Sequence, residues 1–294
     1  MIATKRVENI TAGYEVPNFT SIKVMSWHKK DTEYYTLSPY HLKTDGQERQ
    51  HNYGQVIFEN FWQGSKVYSK ITAQEIYCHK NYQGNPKYLW WKYEPTLDSH
   101  VTVDKFGNTN VNDEYFKWKA SLWTCKHGIR FPNGFHGRKN VLFTLFFDKD
   151  HNDTRMDYIT ARKEIYVAEY CRLIRKLPEY KKLLEKAINK ENLLILEMDV
   201  PSKSKKEPWN NVDKDGICVH TLESLNVLLN SPVEPFGHGL CICLALLEDL
   251  RDLKNDEDSK NAKDSKNPEE LKSKGYGVEC YVPVDWLRTK NDDN

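Results

Sequence analysis

A chain of 294 residues with 39% hydrophobic and 29% charged side chains can bury a core without disulfide staples. Its 43 Lys and Arg against 42 Asp and Glu leave a net charge of +1, which excludes a nucleic-acid coat protein that works through many uncompensated cations. The seven cysteines are scattered and form no CxxC pair, so neither a disulfide framework nor a zinc ribbon is expected. Met1 to Val16 lacks the apolar segment of a signal peptide, and Leu240 to Leu247, the longest apolar run, is too short to span a bilayer. The expectation is a cytoplasmic protein in a reducing space, without a membrane partner.

In chain order, Ile22 to Met25 and Tyr34 to Leu37 read as short strands, and Lys43 to Asn52 as a polar connection with a turn at Asp45-Gly46. A helix is predicted from near Val56. Phe58, Phe61, Trp62 and Ser65 fall on one face at i, i+3, i+4 and i+7, while Glu59, Gln63 and Lys66 share the neighbouring face. Residues 78 to 115, aromatic and polar with Gly84, Pro86, Pro95 and Gly107, read only as loops and short strands. Val141 to Phe147 and Leu193 to Met198 have the length and apolar continuity of buried strands. Between them Tyr158 to Leu177 is helical, and Pro178 opens a second helix carrying Tyr180, Leu183, Leu184, Ala187 and Ile188 on one face. Leu222 to Leu229 is a short helix or strand, and Leu240 to Leu250 a helix apolar all round, hence buried on more than one face. Residues 251 to 275 have the charged composition of a flexible excursion, and Tyr276 to Leu287 could add a last strand.

Three constellations could carry chemistry. In Phe58 to Lys66, a carboxylate, a carboxamide and an amine in a row beside aromatic rings can donate, accept and transfer protons to one small ligand. The amine could also attack a carbonyl. The same three side chains at helical spacing equally describe a solvated surface with weak i, i+4 support. In Lys126 to Lys139, three glycines, Arg130, Arg138 and two histidines suit a phosphate, or alternatively form a charged surface turn. Gly237-His238-Gly239 before the apolar helix offers backbone N–H groups to an anion, or only allows a tight turn into a buried helix. A zinc site from His238, Cys241 and Cys243 is rejected, since Cys-x-Cys on a helix sends its thiols to different sides. Walker, GxGxxG, HExxH and GxSxG motifs are absent.

Leu37-Ser38-Pro39-Tyr40, then Glu59-Asn60-Phe61-Trp62-Gln63-Gly64-Ser65-Lys66, resembles the NADAR superfamily, whose members read Leu-Ser-Asn-Phe and Glu-His-Tyr-Tyr-Gln-Ala-x-Lys. Arg162 to Ile165 with Pro178 to Leu184 is similar to the family's middle helices, Leu194 to Glu197 to its Leu-Val-Glu strand, and Phe236-Gly237-His238-Gly239 through Arg251 to its closing Trp-Gly-x-Gly helix. The chain departs from the pattern at Pro39, Asn60, Phe236 and Cys241.

The resemblance implies an α+β fold: one compact, mostly helical domain over residues 1 to 294 with short strands. It is enlarged by insertions at 78–157 and 200–233 and by the charged segment at 251–275. It also implies an N-glycosidase that needs neither metal nor cofactor and cleaves a ribosylated or ADP-ribosylated nucleobase or nucleotide-like molecule. Glu59 would stabilise the ribosyl cation or protonate the leaving nitrogen, and Lys66 would form a Schiff base with ring-opened ribose or hold a phosphate. Ser38, Tyr40, Phe61, Trp62, Gln63, Gly237, His238 and Gly239 would bind substrate, with Arg130 and Arg138 on phosphate. Trp90, Trp91, Trp118 and Trp123 of the first insertion would cap the site. Two other readings keep the pocket without the reaction: a silent ADP-ribose or nucleotide-binding module, and an interaction protein that uses its insertions.

Overall fold

A computed structural model describes residues 1–7, 15–24, 33–45, 54–69, 99–126, 128, 141–147, 153–201 and 212–264. Backbone contacts divide the chain into two units, Met1–Arg251 and Asp252–Asn294.

The first unit is α+β. A four-stranded sheet has β1 (Ile2–Arg6) and β8 (Leu193–Glu197) at its centre, in the order β2-β8-β1-β9, with β2 at Thr20–Lys23 and β9 at Ile217–Val219. β8 runs parallel to both β1 and β2, and β9 closes the other edge antiparallel. A strand in this position is covered on both faces, which is why its sequence is apolar without alternation. The two-residue period sends Ile195 and Leu193 into the main core, and Leu194 and Leu196 into a second cluster with Ala3, Val7 and Ile217. Glu197 continues the parity of the main-core face.

A three-stranded antiparallel sheet has the order β3-β6-β7, from β3 (Lys66–Tyr68), β6 (Val141–Phe147) and β7 (Asp153–Met156). A hairpin of β4 (Val101–Val103) and β5 (Thr109–Val111) leads into α2 (Asp113–Trp123), capped by the Asn112 side chain on the Glu114 and Tyr115 N–H groups. α2 packs against α1 (Phe58–Gly64). Gly64 makes that approach close, since a Cβ there would stand 2.7 Å from the Trp123 indole nitrogen.

The helical layer begins with α3 (Tyr158–Ala161), continues through a π-helical turn at Arg162–Val167 into α4 (Ala168–Ile174), and proceeds to α5 (Pro178–Ile188) with Pro178 in its first turn. α6 (Leu222–Asn230) has a Thr221–Ser224 capping box, and α7 covers His238–Asp264. Leu240 through Cys243, Ala245 and Leu246 are all fully buried, as expected of a helix start apolar on every side.

Several expectations need correction. Tyr35–Leu37 is a 3-10 turn rather than a strand, because its backbone bonds close locally, from Leu37 N to Tyr34 O and from Ser38 N to Tyr35 O. The charged segment beyond Arg251 is not a flexible excursion as far as Asp264. It stays helical with Asp252 to Ser259 exposed, as a solvated charged helix can. The stretches read as insertions contribute strands to both larger sheets: β6 is the middle strand of its sheet, and β9 pairs with β1. Residues 46 to 53, the strand expected at Tyr276 to Leu287, and Trp90 and Trp91 lie outside the described residues.

Candidate active site

The first two sequence motifs meet at the start of α1. The Glu59 N–H donates to the Pro39 carbonyl at 2.9 Å, and the Phe58 N–H to that of Leu42 at 2.9 Å. The Leu37 carbonyl accepts from the Tyr170 hydroxyl, which fixes this turn to α4. Ser38 is buried, its hydroxyl accepting from the Tyr40 N–H at 3.3 Å. Tyr40 covers Gly128 so closely that a Cβ at 128 would stand 2.3 Å from its ring.

The row Glu59, Gln63 and Lys66 is not a solvated face: the three residues are 8%, 4% and 4% exposed. Nor is it purely helical. α1 ends at Gly64, and Lys66 is the first residue of β3. The connectivity is still continuous, because Gln63 Nε2 donates to Glu59 Oε1 at 2.7 Å and Lys66 Nζ donates to Gln63 Oε1 at 2.8 Å. The carboxamide therefore uses its donor on the acid and its acceptor on the amine, which fixes its orientation and holds the two ionisable groups one amide apart. Lys66 Nζ lies 4.6 Å from the Trp62 ring centre and 5.9 Å from that of Tyr158. A cation over these faces is stabilised by their quadrupoles. Tyr158 is half-buried, so this aromatic edge is the part of the row nearest solvent.

Phe61, expected at the ligand, packs instead between Phe58, Trp123 and Phe146 at ring separations of 5.7–6.1 Å. The helix turns it toward the core while Trp62 stays under the amine. Trp118 and Trp123 are likewise core rings, 1% and 5% exposed, on α2. Asn60 is fully buried, with Nδ2 donating to the Cys125 carbonyl at 3.5 Å. Arg130 and Arg138 lie outside the described residues.

From Trp62 a chain of rings leads to the second polar cluster. Tyr166 is 5.1 Å from Trp62 and stacks with Tyr170 at 6.3 Å, and Tyr170 is 6.3 Å from the His238 ring. His238 Nδ1 lies 2.7 Å from Glu197 Oε2, and its Nε2 hydrogen-bonds the Val24 carbonyl. Burial alone would favour the neutral forms. The opposite charges prevail, with the Glu197 carboxyl below its ordinary range and the His238 imidazole above its own. The N–H of Met198 also donates to the other Glu197 oxygen at 2.7 Å. Gly239 is required by this packing, since a Cβ would meet the Glu197 Cβ at 2.9 Å; at Gly237 it would meet the Asp199 Cβ at 2.8 Å. Glycine here serves close packing of α7 on β8, and His238 is spent on an ion pair.

Sequence reasoning missed two members of this neighbourhood. Glu197 had a legible signal, a carboxylate at the core-facing parity of an apolar strand. Arg162 had none, because its partners are three backbone carbonyls far along the chain: Nη1 donates to Glu234 at 3.0 Å, and Nη2 to Leu229 and Ser231. Its guanidinium lies between Tyr158 and Phe236, 5.6 and 6.0 Å from their ring centres, and holds the segment that leads into α7.

Comparison of the chain with protein-family models, with curated proteins and with solved structures finds no match. Among the described residues no helix is long and apolar enough to cross a membrane, and no group of three or more His, Cys, Asp and Glu is placed to hold a metal ion.

Proposed function

We propose that this chain is an N-glycosidase, a divergent relative of the NADAR superfamily, that hydrolyses the bond between a ribosyl carbon and the nitrogen of a ribosylated or ADP-ribosylated nucleobase or nucleotide-like molecule. Cytoplasmic placement belongs to the same proposal and rests on the sequence. The observation that carries the reading is the buried row in which Gln63 links the Glu59 carboxyl to the Lys66 amine beside Trp62 and Tyr158.

The chemistry suits the row. As the C1–N bond lengthens, positive charge grows on the ribose, and a carboxylate positioned beforehand stabilises it without reorganising at the moment of reaction. Glu59 is that group, oriented by the Gln63 amide. Water then adds to C1 and the departing nitrogen takes a proton, so each bond broken is matched by one formed. Lys66 has two roles open to it: attack on C1 of the ring-opened sugar, or a contact to phosphate. Trp62 and Tyr158 offer flat faces to a base.

The test is to incubate wild type, Glu59→Gln and Lys66→Ala with N-ribosides and ADP-ribosylated nucleobases and to measure released base by chromatography. Release by wild type and its loss in Glu59→Gln are expected. Release that survives Glu59→Gln would remove that residue from the mechanism. Thermal stabilisation by ADP-ribose without release would make the chain a binding module instead. Borohydride trapping in wild type but not in Lys66→Ala would assign the Schiff base.

A further inference from the structure

Two hydroxyls on the β3–β6 ladder that carries Lys66 are buried and have no hydrogen-bond partner among the described residues: those of Tyr68 and Thr144, 1% and 0% exposed. A buried hydroxyl left unpaired is destabilising, and such groups in folded proteins are normally completed by protein, water or ligand. Their placement relates them to the proposed site. Lys66 and Tyr68 stand two apart on β3; the ladder with β6 slips by one residue between Val67 and Tyr68, but the extra residue lies on β6, so β3 keeps its alternation and the two share a face. Thr144 is the residue directly opposite Lys66 in the ladder, which puts its side chain on the same face. The three residues thus place an amine and two hydroxyls on one face of this sheet.

Other unpartnered groups lack this relation. The Tyr115 hydroxyl on α2 and His100 Nε2, in the bend before β4, are also buried without partners among the described residues, and the His100 ring touches both Tyr68 and Tyr115, but neither residue belongs to the β3–β6 ladder that carries Lys66. Tyr68 is distinguished by its place on β3, two residues from Lys66. Burial comes first in raising its pKa, and the charges of Glu59 and Tyr158, both at the proposed site, add to it. The phenol is therefore neutral, a donor and acceptor at once, as is the threonine hydroxyl. Neutral groups of this kind match the hydroxyls of a sugar better than the oxygens of a phosphate, which are held by cations and backbone N–H groups.

We propose that Tyr68 and Thr144 are specificity residues that receive the ring hydroxyls of the substrate's ribose, beside Lys66 and across from Glu59. The assignment rests on the N-glycosidase reading and deepens it, since it makes a hydroxylated sugar, rather than a deoxy sugar, the preferred ligand. Two ribose hydroxyls would satisfy the two buried groups, so the energy of leaving them unpaired is recovered only by the correct sugar.

The test compares kcat/KM for base release from a cleaved N-riboside and from its 2′-deoxy and 3′-deoxy analogues, in wild type, Tyr68→Phe and Thr144→Val. If ADP-ribose binds without turnover, the same comparison is made on Kd for ADP-ribose and its deoxyribosyl analogues. Wild type should discriminate against at least one deoxy analogue by roughly 10-fold or more. Tyr68→Phe or Thr144→Val should lose about that factor on the riboside while the deoxy penalty falls toward one. Both variants should keep or raise the thermal midpoint, because each removes a hydroxyl that has no partner among the described residues. Wild-type cleavage or binding with no deoxy discrimination, or discrimination unchanged in both variants, overturns the assignment and leaves the N-glycosidase reading standing. A lowered midpoint with equal losses on riboside and deoxy analogue means a structural role and also overturns it. Neither base release nor ADP-ribose binding by wild type removes both proposals together.

Discussion

Two buried carboxylates of this protein are matched with cations in different ways. Glu197 touches His238 directly at 2.7 Å, and both residues are further saturated, the acid by the Met198 N–H and the imidazole by the Val24 carbonyl. Glu59 is separated from Lys66 by the Gln63 amide, and the amine lies against two rings, one of them half-buried. A saturated direct pair has its capacity spent on holding α7 against β8. A spaced pair keeps an acid and an amine oriented without neutralising each other at contact, and that is the arrangement a reacting ligand can use.

The difference can be broken most severely at Glu197. Glu197→Ala strands His238 in the core, and chemical denaturation should show a loss of about 3–5 kcal/mol, with activity falling only as folded protein is lost. Glu59→Gln should do the reverse: kcat for base release drops by about 10²–10³, while unfolding free energy changes by less than about 1 kcal/mol because the new amide still accepts from Gln63. Equal damage to stability from both substitutions would erase the distinction.

The close contacts on each side should respond alike. Gly239→Ala places a Cβ against Glu197 and Gly64→Ala places one against Trp123, and each should cost about 1–3 kcal/mol of stability in denaturant melts. The smallest effect concerns pH. Glu197, with its pKa lowered from 4.5, contributes stability that is present above that value and lost as pH falls through the lowered one. His238, with its pKa raised from 6.5, contributes stability fully present below that value and lost as pH rises through the raised one. The stability gap between wild type and His238→Gln should therefore be widest between about pH 4.5 and 6.5. A gap that does not vary with pH would show that the pair is not ionised.

Much of the scaffold was legible because it depends on local pattern. The apolar run Val141 to Phe147 is β6 residue for residue, the run read at Leu193 to Met198 is β8 as far as Glu197, and Pro178 opens α5 as a first-turn proline should. The turn at Tyr35 was misread because short aromatic segments suit a strand and a 3-10 turn equally. α2 was missed because its aromatic residues follow a stretch rich in turn signals, and the Asn112 cap that starts it is only one residue.

The candidate site was legible in part. Glu59 and Gln63 at i, i+4 must lie together on a helix, and the sequence therefore determined their bond, just as it determined that an apolar helix start would be buried. Periodicity could not say whether the face met water or the core, since the same spacing serves both. Only tertiary packing decided that α1 ends before Lys66 and that the amine enters the row from a strand. The same packing spent His238 on Glu197, turned Phe61 and two tryptophans into core, and placed on the face of Lys66 the hydroxyls of Tyr68 and Thr144, which have no partner among the described residues. Each of those outcomes depends on partners distant along the chain, and local propensity carries no information about such partners.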